Sequence, residues 1–187
     1  MNIEIYLLLV LLAIAALYFA VPPVIGAYMK YRGKRLITCP ETKEAAAVDI
    51  DVKHAAFTAL RGDSELRLKD CTRWPERQEC GQECLLQIEA GPEDCLVRGM
   101  LVKWYEGKNC AFCDKPFEEI HLLDNKPAFL TPEGKIANWS DVPPETLRKV
   151  FVTHKPVCWD CSVAEAFREE YPELVVERPW KGDAHFG

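Results

Sequence analysis

The hydrophobic pattern opens with one long apolar run and then breaks into short segments. From Ile5 to Met29 no residue is charged, and Leu7 to Leu12, Ile14, Leu17, Tyr18 and Phe19 crowd its first part. About 20 apolar residues cross the hydrocarbon core of a bilayer, so the run predicts a transmembrane helix within residues 1–29. Pro22 and Pro23 predict a kink or a stop near its end, leaving Val24 to Met29 at the interface. Tyr28 and Tyr31 suit the aromatic belt there. A cleaved signal peptide fits less well. Met1 to Ile5 lacks Lys and Arg, the core exceeds roughly 7–15 residues, and Tyr18-Phe19-Ala20 is not an A-x-A-like site.

Lys30, Arg32, Lys34 and Arg35 form a basic juxtamembrane segment, 30–35, against Glu4 on the other flank. The positive-inside rule then places the C-terminal portion in the cytoplasm. The cluster also suits contact with anionic lipid headgroups.

Beyond residue 35 the periods shorten. Leu36 to Thr38 and Ala46 to Val52 read as strands around a turn at Pro40 to Lys43. Val52 to Leu60 reads as a short helix broken by Arg61-Gly62-Asp63, and Leu66 to Leu68 as a strand leading into Cys71. Gln78 to Ala90 reads as a helix that stops at Gly91-Pro92. Asp94 to Tyr105 reads as an amphipathic helix with Leu96, Met100, Leu101 and Trp104 on one face. Cys110 to Val157 is a hairpin region rich in Pro and Gly, and a helix follows from about Cys161 to Tyr171, halted by Pro172. The fold class is α+β: a single N-terminal transmembrane helix followed by a small soluble domain of short β-hairpins and helices. Its parts are a Cys-rich subdomain, 36–107, a second subdomain, 108–172, and a tail, 173–187.

Composition changes this picture in two ways. The chain is 49% hydrophobic and 28% charged, which excludes a wholly disordered polymer. The net charge is -6, and four of the positive charges sit beside the span, so the soluble portion is more acidic still. That argues against a nucleic-acid partner. No GxGxxG, P-loop or HExxH occurs, and no catalytic or cofactor-binding residue is assigned. The sequence points away from an enzyme.

All nine cysteines lie in the soluble portion: Cys39, Cys71, Cys80, Cys84, Cys95, Cys110, Cys113, Cys158 and Cys161. Cytoplasmic thiols stay reduced, so clustered ones bind metal or do redox work more often than they form disulfides. The strongest motif is Cys110-Ala-Phe-Cys113 with Cys158-Trp-Asp-Cys161, two C-x-x-C pairs with 44 residues between them. Each such turn aims two thiolates at one ion, and two turns complete a tetrahedral shell with Zn–S near 2.3 Å. Asp114-Lys115-Pro116-Phe117 reads as a tight turn after the first pair, and the second pair opens a helix whose N-terminus favours a thiolate. This order of knuckle, hairpin and helix over residues 108–172 resembles the treble-clef or zinc-ribbon-like class of zinc fingers. The insertion between the pairs is longer than in a compact finger. The resemblance implies a structural metal site and no particular activity. A rubredoxin-type iron site would use the same four thiolates.

Cys39, Cys71, Cys80 and Cys84 form the preferred second set of metal ligands, with Cys80 and Cys84 on one helix face. Cys95, at the start of the next helix, is then a small buried hydrophobe, and sets that use Cys95 or His54 are the rivals. Eight thiolates correspond to two zinc ions per chain. Iron–sulfur clusters lack their usual ferredoxin spacings here. His154, four residues before Cys158, reads as a neighbour of the metal and not a ligand; His121 precedes an apolar strand. Trp159, between two ligands, would shield the metal or dock a partner, while most of the five tryptophans read as core.

The expected function is that of a membrane-anchored zinc-binding protein with a structural or protein-interaction role, as an accessory subunit of a membrane complex. Ala13, Ala15, Ala16 and Ala20 would let another helix approach. The alternative is a redox protein at the membrane, by iron–thiolate electron transfer or thiol–disulfide exchange. As a whole the chain resembles Cys-rich, membrane-anchored proteins of bacterial type.

Overall fold

The computed structural model describes residues 3–74, 76, 79–118, 120 and 127–174. The expectations for His121, for Trp180 and for most of the tail fall outside these residues. The chain forms two compact units: Met1–Trp104 with Pro143–Arg148, and Tyr105–Val142 with Lys149–Gly187.

The first unit begins with helix α1, Ile3–Tyr31, which is apolar and long enough to cross a membrane. The prolines do not end it. Pro22 and Pro23 lie inside the helix, and Val24, Ala27 and Tyr31 beyond them pack into the unit's core. That packing, against helix α2 (Val52–Thr58), holds the turns that missing backbone donors would otherwise loosen. The small faces of Ala55, Ala56 and Ala59 allow the close approach.

Strands β1 (Arg35–Thr38), β2 (Ala45–Ile50) and β3 (Leu68–Cys71) form an antiparallel sheet in sequence order. Leu36 pairs with Ala47 and Val48 with Cys71. Alternation puts Ala46, Val48 and Ile50 on one face, in the core with Ile37 and Leu68. Asp51 caps α2 by accepting the His54 N–H at 3.1 Å, and its other oxygen accepts from Arg67 at 2.5 Å. Gly62, at φ 116°, ends the 3₁₀ turn that follows α2.

The next stretch departs from expectation. Helix α3 is only Leu85–Ala90, because Gln82 takes φ 56° and breaks the expected helix before it starts. Gln82 instead gives its side-chain oxygen to the N–H of Leu68 at 2.9 Å. Gln87 does the same for β1, accepting from Thr38 N at 3.2 Å and donating to Thr38 O at 2.6 Å. Helix α4, Val97–Tyr105, starts later than expected, since Leu96 bridges to Arg35.

Arg35 is the second departure. It belongs to the basic juxtamembrane segment, yet it is 0% exposed. Its guanidinium donates to the carbonyls of Pro92 and Lys30, while its Nε has no hydrogen-bond partner among the described residues. Burial lowers its pKa, offset in part by Cys95, Glu93 and Tyr31 nearby. Lys34 lies 3.9 Å from Asp49, and Lys30 and Arg32, at and just after the end of α1, are exposed.

In the second unit β4 (Ala128–Leu130) lies between β5 (Ile136–Ala137) and β6 (Lys155–Val157), all antiparallel. The expected hairpin region also holds a helical turn at 139–141, a second at 144–146 that belongs to the first unit, and helix α5, Leu147–Thr153, which begins in the first unit and ends in the second. Helix α6, Trp159–Glu170, follows β6 directly. An aromatic cluster fills the space behind β4. Tyr105 stacks with Phe117 at 4.8 Å between ring centroids, and Phe129 meets Trp139 at 4.5 Å. The Tyr105 hydroxyl donates to Ala128 O at 2.7 Å and accepts from Trp139 Nε1 at 2.8 Å. Burial raises its pKa and keeps it neutral. Tyr105→Phe removes both hydrogen bonds from a buried hydroxyl and is expected to cost about 1–3 kcal/mol. Denaturant unfolding followed through tryptophan fluorescence checks this.

Candidate metal centre

The second unit brings both C-x-x-C pairs to one point. Cys110 and Cys113 sit on a turn closed by Asp114, whose N–H donates to Cys110 O at 3.0 Å and whose φ is 57°. Asn109 bridges to Pro116, and Asn109 Nδ2 donates to the Asp114 carboxylate at 3.2 Å, so the turn returns as a narrow hairpin. Ala111 N–H donates to Pro156 O at 2.9 Å and pins this turn to β6. Cys158 lies at the end of β6 and caps α6, its sulfur accepting the Cys161 N–H at 3.5 Å. The helix therefore opens at Trp159, with Cys158 at its cap and Cys161 in its first turn.

The four sulfurs all lie within 4.8 Å of one another. Cys113 and Cys158 are 3.8 Å apart, and the Cys158 N–H donates to the Cys110 sulfur at 3.3 Å. A tetrahedral ion with bonds near 2.3 Å needs ligand separations of about 3.8 Å. Burial pushes the Cys110 thiol up, but the N–H groups of Cys113, Cys158 and Phe112 outweigh it and bring it down to about 6. Cys158 and Cys161 go up, first by burial and, for Cys161, then by the sulfurs beside it. One thiolate is thus favoured by the backbone, while four together need a cation. The donor set is four thiolates with no water position reserved, which fits a closed structural site and not an open catalytic one.

Around the centre, Ala128 and Val157 are buried, and Phe117, Leu130 and Ile136 cover it. His154 takes no part. Its Nδ1 meets Thr153 Oγ1 at 2.7 Å, and its ring packs on Phe129 at 5.1 Å. Trp159 is 44% exposed and so is not a full shield for the metal.

The other five cysteines lie in the first unit. Cys39, Cys71, Cys80 and Cys84 line a single cavity with Trp74 and Arg73. Cys80 and Cys84 do not share a helix: Cys80 lies in the turn that Gln82 makes, and Cys84 caps α3. Cys95 lies outside that cavity, before α4, with its thiol 3.8 Å from Gln87 O. His54 also lies outside it, with Nε2 3.6 Å from Glu65.

No family model, curated protein or solved structure matches the chain.

Proposed function

We propose that the protein is a membrane-anchored zinc protein whose second unit is a treble-clef-like module held together by its ion. The observation that carries this reading is the quartet Cys110, Cys113, Cys158 and Cys161, with all sulfurs within 4.8 Å of one another. The order of hairpin turn, short sheet and capped helix supports the treble-clef likeness. Zinc suits four thiolates in a closed shell, and such a staple would reinforce the small buried cluster of Cys110, Ala128 and Val157 beside it. Zinc measured on the purified full-length chain tests the idea: at least one ion per chain is expected, and a zinc-free folded protein sinks it.

The anchor is α1. Ile3 to Val21 would rise about 29 Å at 1.5 Å per residue, close to the thickness of a bilayer core. The turns after Pro22 and Pro23 contribute to the first unit's core instead. With basic residues following, the soluble units face the cytoplasm in this reading. Leu11→Arg at mid-span is expected to cost about 2.5–3.5 kcal/mol of insertion. Alkaline extraction should then release a variant that the parent chain resists, and C-terminal reporter fusions report the side.

The role we assign is protein interaction, as an accessory subunit of a membrane complex. Helix α6 supports it, because Trp159, Val163, Phe167 and Tyr171 recur every four residues and are all exposed. Phe167→Glu should leave zinc bound while shrinking the detergent-solubilised particle; an unchanged particle argues against this face.

A further inference from the structure

The two cysteine quartets differ in size, and the difference is chemical. In the second unit the sulfurs are close enough for one ion. Among the described residues no three of Cys39, Cys71, Cys80 and Cys84 bring their sulfurs within 4.8 Å of one another. They stand instead around a cavity of about 100 Å³. A single tetrahedral ion draws its sulfurs to about 3.8 Å. A wider cage of four thiolates around a volume of its own suits a polynuclear centre, in which each cysteine binds a different corner or end.

The walls agree with that reading. Ile37, Leu68 and Trp74 make much of the lining apolar. The sulfurs are also met by backbone donors. Cys80 accepts the Gln82 N–H at 3.4 Å, which explains why Gln82 adopts a left-handed conformation. Cys39 faces the Thr42 N–H and hydroxyl and the Glu41 N–H. Such N–H···S bonds stabilise thiolate and tune a cluster's potential. Arg73 adds a positive charge to the wall, held by Glu44 at 2.7 Å. His54 is turned away to Glu65, while Glu41 and Glu83 line the cavity beside the cysteines.

We propose that this cavity holds an iron–sulfur cluster ligated by Cys39, Cys71, Cys80 and Cys84. It is a second metal centre, independent of the zinc in the other unit. The first unit then becomes a one-electron carrier next to the membrane helix that is part of the same unit.

The test uses the full-length chain, purified in detergent without air. Iron and acid-labile sulfide in equal amounts are expected, with broad visible absorption that bleaches on reduction. The iron count per chain separates a two-iron from a four-iron cluster, and either supports the proposal. Cys84→Ser and Cys39→Ser should lose most of the iron and sulfide and keep the zinc. Cys113→Ser should lose zinc and keep the colour. Cys95→Ser should keep both. A colourless chain with two zinc ions overturns the proposal while leaving the zinc module intact. Iron without labile sulfide, or no metal in the first unit at all, overturns it as well. Because the unsubstituted chain gives the first answer, a variant that fails to fold does not decide the matter.

Discussion

If the quartet holds zinc as proposed, serine in place of Cys110 or Cys161 is expected to release it and unfold the second unit. Structural zinc contributes about 10–16 kcal/mol of binding free energy in small finger modules, as much as the whole stability of an ordinary domain. The buried cluster next to the quartet is small, Cys110, Ala128 and Val157, so the ion would carry much of the tie between the turn, β6 and α6. The sulfur of Cys110 also accepts the Cys158 N–H, so its loss removes a ligand and a strut together. Bound zinc, tryptophan fluorescence from Trp139 and limited proteolysis of the second unit should change in parallel. A Cys110→Ser chain that keeps its fold in the presence of a chelator would refute the zinc-staple account. Acid should act in the same direction, because thiolates must be deprotonated to hold the ion.

The second large effect is expected at Arg35. Arg35→Met removes the donors to the carbonyls of Pro92 and Lys30, joining the end of α1 to the segment before α4. Hydrogen bonds from a charged donor are worth about 1.5–3 kcal/mol each, and the relief of burying a charge offsets part of their loss, so a cost of about 3 kcal/mol is expected. Arg35→Lys should recover only part of this, since an ammonium lacks the planar fork. Lys34→Met, on an exposed pair, should change stability by less than about 1 kcal/mol. The denaturant midpoint of the first unit is the readout, and equal effects at positions 34 and 35 would contradict the buried-strut role.

Arg35 also shows what the sequence could not reveal. In Lys30-Tyr-Arg-Gly-Lys-Arg35 every basic residue reads alike. Only the alternation of β1, which turns Arg35 inward beside Leu96, separates it from its neighbours. The C-x-x-C pairs were legible because their spacing is set by turn geometry within four residues. Strands β1 and β2 and helix α2 were legible too, with Gly62 marking the break after the helix, while the third strand, expected at Leu66 to Leu68, lies later at Leu68–Cys71. The 78–90 segment was misread because its helical composition is overridden at Gln82, whose left-handed backbone is held by bonds to Leu68 and Cys80. Helix α5 was missed because Pro143 and Pro144 precede it and no strong apolar period announces it. The four cysteines of the first unit were grouped from their number. That they surround a cavity, and do not meet at a point, depends on where β1, β3 and the turn before α3 converge.

One consequence concerns the unbroken α1. A flexible linker would let the soluble part sample many poses above the bilayer. In the membrane-anchored arrangement proposed above, the same helix that enters the lipid ends as a wall of the first unit, through Ala27 and Tyr31. Tilt of the helix therefore tips that unit, and rotation about the helix axis sets which side faces a neighbour in the membrane plane. Val24 to Tyr31 adds only about 12 Å of rise, at 1.5 Å per residue, beyond the prolines. The cysteine cavity is carried at a fixed height and azimuth, which restricts its encounters to partners whose docking points lie close to the bilayer surface.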